Sequence, residues 1–202
     1  MILRVNDAVF FPACALLAVG MISLPLIFES QQQSQNVQSI IDNGIVAEFD
    51  RLQSLVTGPG ITSSIAAGER GNRTVMVSAQ NYLGDLNITP SAGGFVPLSA
   101  REIETIQGHV LRVSFFVEQG PASDTDRVNV GVFQRGIGQN GWQLHDLPRE
   151  SEPIVVRVTP PLCDAEYIFI GVWPDALGER GAVQLNEIRI EILDSMNCGD
   201  QR

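Results

Sequence analysis

The chain has 202 residues and a mass of 21.9 kDa, enough for one domain of ordinary size plus an appendage and too little for two catalytic domains. Its 13 basic residues, all Arg, stand against 23 acidic ones, for a net charge of -10 at pH 7. That balance argues against a nucleic-acid partner, because phosphate neutralisation needs a basic surface, and 13 Arg without a single Lys suits a GC-rich bacterial genome.

The first element is an apolar run from Ala8 to Phe28, uncharged throughout and bounded by Asp7 and Glu29. As a helix it would be about 31 Å long, matching a hydrocarbon core of about 30 Å. Secretory signals have shorter apolar regions and a small-x-small cleavage site, and Leu26-Ile27-Phe28-Glu29 offers none. The run therefore reads as an uncleaved single-pass anchor. Arg4 and the amino terminus are the only positive charges before it, and no Arg follows until Arg51. This asymmetry places residues 1–7 in the cytoplasm and everything after the span outside, an inner-membrane protein with a periplasmic C-terminal domain. Pro12, Gly20 and Pro25 would bend or loosen the helix, which fits packing against another membrane protein.

A polar spacer follows over residues 29–39, rich in Gln and unable to form a core. From Ile40 to Asn197 the texture is short apolar runs punctuated by Gly, Pro, Asn and Asp, with a tail over residues 198–202. Strands are expected at Arg73 to Gln80, Val110 to Glu118, Arg127 to Phe133, Pro153 to Val158, Tyr167 to Trp173 and Gly181 to Leu193. In the last, the apolar parity slips once between Leu185 and Ile188, which predicts a bulge. One helix is expected in this region, Leu98 to Ile106, with Ser99 as N-cap and Glu102 completing a capping box. The fold class is mainly β, an antiparallel β-sandwich preceded by one transmembrane helix.

Of the three cysteines, Cys14 lies in the span as a small apolar residue, whereas Cys163 and Cys198 lie in the exported part. In an oxidising compartment these two can pair. Two thiols and two distant histidines do not make a metal site. Asp124, Asp126, Asp164, Asp175 and Glu179 lie in turns and could hold a structural calcium, although the EF-hand spacing is absent.

The segment Gly136-Ile137-Gly138-Gln139-Asn140-Gly141 spells GxGxxG, but Trp142 and Pro148 follow in place of a helix, so it reads as a hairpin loop without a nucleotide. There is no Gly-x-Ser-x-Gly elbow, His-Glu-x-x-His or Walker loop, and His109 and His145 are the only histidines. The chain reads as a non-enzyme. Trp142 and Trp173, its only tryptophans, are the candidate ligand contacts, because an indole face can stack on the C–H face of a sugar ring. Trp173 lies in a strongly apolar strand that suits core packing, while Trp142 lies in a loop that suits either role. Arg135, Gln139, Asn140, Gln143 and His145 are the hydrogen-bonding groups nearest in sequence.

The succession Gly94 to Pro97, Gly108 to Phe115, Val130 to Phe133, Gly141-Trp142, Phe169 to Asp175 and Val183 to Ile190 resembles the galactose-binding-like jelly rolls found among carbohydrate-binding modules, over about Arg73 to Leu193. The resemblance implies a jelly-roll topology and non-catalytic binding of a sugar, peptide or lipid headgroup, often beside a structural calcium. Two functions follow as expectations: a membrane-anchored module that holds a glycan or other envelope component, or an accessory subunit of a larger membrane complex.

Overall fold

Apolar and polar side chains alternate along most of the strands, and that alternation builds two antiparallel sheets facing each other across one core. The computed structural model describes residues 37–68, 72–80, 93–121, 123–134, 141–148, 152–159, 163–174 and 181–195. The apolar run from Ala8 to Phe28 lies outside these, and among the described residues no helix is long and apolar enough to cross a membrane. The chain divides into two units, Met1–Asp42 and Asn43–Arg202. Helix α1 (residues 37–43) takes up the end of the polar spacer, with Gln38 donating to Asp42 Oδ1 at 2.9 Å one turn on.

In the second unit the elements run β1 (Ile45–Ala47), α2 (Phe49–Leu52), β2 (Val56–Thr57), β3 (Ile61–Ala67), β4 (Arg73–Ala79), β5 (Gly94–Pro97), α3 (Ala100–Ile106), β6 (His109–Gln119), β7 (Arg127–Gln134), β8 (Gln143–Asp146), β9 (Ile154–Val158), β10 (Ile168–Trp173) and β11 (Ala182–Ser195). One sheet has the order β3-β4-β11-β6-β9, with β1 added beside β11; the other has the order β2-β5-β10-β7-β8. All six strands expected from the sequence are present within a residue or two of their bounds. The parity slip in β11 is a bulge: Leu185 pairs with Val117 and Glu187 with Phe116, leaving Asn186 as the extra residue.

Inward-facing side chains from both sheets meet in the core. Val75, Val77, Val113, Phe115, Val117, Leu185 and Ile188 come from the first sheet, and Val96, Val130, Val132, Ile168, Ile170 and Val172 from the second, all at or below 3% exposure. Burying each such side chain contributes roughly 1.5–3 kcal/mol.

Helix α3 begins as the sequence indicates. The Glu102 backbone N–H donates to Ser99 Oγ at 3.4 Å, and Glu102 Oε2 accepts from the Ser99 backbone N–H at 2.8 Å. Arg51 of α2 then closes on the same carboxylate through two bonds, 2.6 and 2.8 Å, and also donates to the Pro97 carbonyl at 2.8 Å. Burial alone would push the Glu102 carboxyl up, but the bonds from Arg51 and from Ser99 outweigh it and hold the group below its ordinary value.

Candidate functional site

The outward face of the β2-β5-β10-β7-β8 sheet gathers most of the aromatic side chains that pack on one another. In β10, Ile168, Ile170 and Val172 point to the core, so Phe169, Gly171 and Trp173 point outward. Pairing carries that face to the neighbours: Gly171 lies opposite Phe95 of β5 and Gly131 of β7, and Phe169 lies opposite Phe133. Glycine at 131 and 171 leaves space above the sheet, and rings from either side close over it. An added Cβ at Gly171 would meet the Phe95 ring at 2.6 Å and Trp142 Cη2 at 3.0 Å; one at Gly93 would meet Trp142 at 2.5 Å. The Trp142 indole thus rests on a glycine floor.

Around Trp142 the ring centroids of Phe133, Phe95 and Trp173 lie at 4.8, 5.8 and 6.2 Å. The series continues from Phe95 to Phe169 at 5.9 Å and from Phe169 to Tyr167 at 5.1 Å. Edge-to-face and tilted pairs at these separations add about 0.5–1.5 kcal/mol each beyond the area they bury. Exposure divides the cluster. Trp173 has no accessible surface, so it backs Trp142 without itself meeting a ligand, in keeping with its apolar strand. Trp142 and Phe169 are half-buried, and Tyr167 is 39% exposed. The indole N–H groups of both tryptophans are buried without a hydrogen-bond partner among the described residues, an unsatisfied pair that native interiors rarely leave. Val56 at one edge of the face and Leu144 at the other are exposed aliphatic side chains, and the Arg127–Asp146 ion pair at 3.3 Å forms a polar end.

The structure separates the residues that the sequence grouped. Gln143 and His145 pair with Val130 and Val128, whose side chains point inward, so the pleat turns both away from the face that carries Trp142. Arg135, Gln139 and Asn140 lie outside the described residues. Phe95, Phe133, Phe169, Tyr167 and the glycine floor were not singled out from the sequence. The alternation Phe169-Ile170-Gly171-Val172-Trp173 was the readable signal, since it already places a phenylalanine, a glycine and a tryptophan on one side of a strand.

Among the described residues no three or more His, Cys, Asp or Glu side chains converge as a metal site; Asp175 and Glu179 lie outside them. Cys163 is half of a disulfide, and Cys198 lies outside the described residues.

No family model matches the sequence, and no curated protein matches it. Solved structures do. The tandem CBM22-1-CBM22-2 domain of Paenibacillus barcinonensis Xyn10C is similar with a TM-score of 0.54 at 11% identity, over 78% of this chain and 47% of that one. The CBM22-1 xylan-binding domain of the same protein gives 0.49 at 13% identity, over 75% of this chain and 94% of that one. A xylan-binding module, CBM15, gives 0.44 at 13% identity, over 77% and 99%. The chain spans about half the length of the tandem structure. Its two sheets are a β-sandwich of the jelly-roll kind seen in carbohydrate-binding modules.

Proposed function

We propose that the chain is a membrane-anchored, extracytoplasmic and non-catalytic module that holds an envelope glycan against the aromatic face of β2-β5-β10-β7-β8. The observation that carries this reading is Trp142, half-buried on its glycine floor, with Phe169 and Tyr167 continuing the aromatic surface and its own indole N–H unpaired among the described residues. The clustered rings offer sugar C–H faces an apolar bed, and a glycan hydroxyl reaching the Trp142 indole N–H would satisfy a buried donor. Likeness in fold to carbohydrate-binding modules supports the same reading. The Ala8 to Phe28 run and the disulfide at Cys163 support the location, since such bonds persist in oxidising compartments.

The test is titration of the full chain, in detergent, with a panel of envelope glycans and with xylo-oligosaccharides. Replacing Trp142 with Ala is expected to weaken binding about tenfold or more. Tyr167→Ala, which removes an exposed ring and disturbs the fold little, is expected to weaken it about threefold. Absence of binding across the panel, or binding untouched by both substitutions, would overturn the reading.

A second reading, docking of a larger membrane complex, is favoured by Val56 and Leu144, 52% and 49% exposed on the same face and unable to hydrogen-bond through their side chains. Gentle extraction from native membranes distinguishes the two: stoichiometric membrane partners support docking, and a protein that comes out alone counts against a stable complex.

A further inference from the structure

A second concavity lies on the opposite sheet and follows from the bulge in β11. Strand β4 pairs with β11 as far as Leu185, and β1 takes up pairing at Ile188. Asn186 and Glu187 are therefore left without a neighbour on that edge. A groove of about 590 Å³ occupies the gap. Its wall carries three carboxylates, Glu48, Glu118 and Glu152, that form no ion pair among the described residues. A fourth, Glu187, is neutralised by Arg189 at 2.8 Å. Arg73 is the one cation among the described lining residues, and its guanidinium stacks over the Phe49 ring at 4.4 Å.

Two further observations make this more than an acidic surface. Thr74, in the wall, is 5% exposed, and its hydroxyl oxygen has no hydrogen-bond partner among the described residues. Phe116, also in the wall, presents an aromatic ring, and Arg189 lies 5.8 Å from its centroid, so the ring already tolerates a cation nearby. No three of the acidic groups converge on one point, which suits a ligand whose positive charges are spread along its length.

We propose that this groove binds an extended organic polyammonium ligand, with Glu48, Glu118 and Glu152 accepting from its ammonium groups, Thr74 Oγ1 accepting one further N–H, and Phe116 flanking a charge. Two sources share that chemistry, an oligomer of an amino sugar and a free polyamine. The site is independent of the aromatic face on the other sheet.

The experiment titrates the full chain at low ionic strength with a glucosamine hexamer, its N-acetylated counterpart and spermidine. The free-amine hexamer or spermidine, or both, should bind saturably, with affinity falling as salt rises. Whichever binds identifies the source. The double substitution Glu118→Gln with Glu152→Gln keeps the shape of the wall and is expected to weaken binding about tenfold. Thr74→Val should weaken it about threefold. No binding of either amine, equal binding of the N-acetylated hexamer, or affinity unmoved by the double substitution would each overturn the proposal.

Discussion

A methyl group added at Gly171 has nowhere to go: the Phe95 ring lies 2.6 Å from its ideal position, and the Trp142 ring 3.0 Å. Both rings are held by other aromatic neighbours, so neither can swing aside cheaply. Gly171→Ala is therefore expected to destabilise the fold by about 1–3 kcal/mol, as overpacking does. It should also shift Trp142, changing the near-ultraviolet circular dichroism that the Trp142–Trp173 pair generates. Gly141→Ala is the matched control, because a Cβ there meets nothing within 4 Å. Urea unfolding of both variants checks the pair, and equal stabilities would contradict the idea of a glycine floor. At this scale the sequence was only half informative. Trp142 and Trp173 stand out as the two indoles of the chain, but that one backs the other depends on strand pairing that brings residues 31 positions apart into contact. The inward turn of Gln143 and His145 was hidden for the same reason, since it depends on how β8 registers against β7.

Among the elements, α3 was legible because a capping box is a local signal confined to four residues. Its continuation was not, because Arg51 reaches Glu102 from α2, 51 residues earlier. The Glu102 carboxyl is held below its ordinary value of 4.5 in the fold. A carboxylate whose folded pKa is depressed stabilises at pH above its unfolded value, and the contribution disappears as pH falls through the lower folded value. Glu102→Gln should accordingly cost about 1–3 kcal/mol near pH 7, with the difference from the parent shrinking as unfolding is measured at pH values below about 4.5. A difference constant with pH would mean that the carboxylate charge contributes nothing. Strands β1, β2, β3, β5 and β8 were not among the expected elements, and each has a physical reason for silence. β1, β2, β5 and β8 have two to four residues, too few for alternation to register. β3 is longer but sits at a sheet edge, where Thr62, Ser63 and Ser64 are exposed and no apolar parity is imposed. Long strands buried on one face, such as β6 and β11, carried the fold class because their parity is enforced by the core.

At the scale of the whole molecule, β11 ties the last strand of the sandwich to its first. β11 pairs with β1, β4 and β6, so the last strand holds the first in place. Loss of the C-terminal strand would therefore open the sheet on both of its sides. Cys163 lies between β9 and β10, next to Asp164, which adopts a left-handed backbone at φ 54. A cross-link from this loop to the segment after β11 would close a loop of about 35 residues and remove entropy from the unfolded chain, worth about 3–4 kcal/mol in the chain-entropy model. Only Cys14 and Cys198 could supply an intramolecular partner, and if the apolar run spans a bilayer, Cys14 lies within it while Cys198 shares the outer compartment. Peptide mapping of the unreduced protein is thus expected to recover Cys163 joined to Cys198. Reduction, or Cys163→Ser, should lower the denaturant midpoint by the amount that corresponds to those 3–4 kcal/mol. A mixed intermolecular disulfide would overturn the pairing with Cys198, and a free thiol at Cys163 would also remove the redox argument for an outer location. The membrane run would then carry that argument alone.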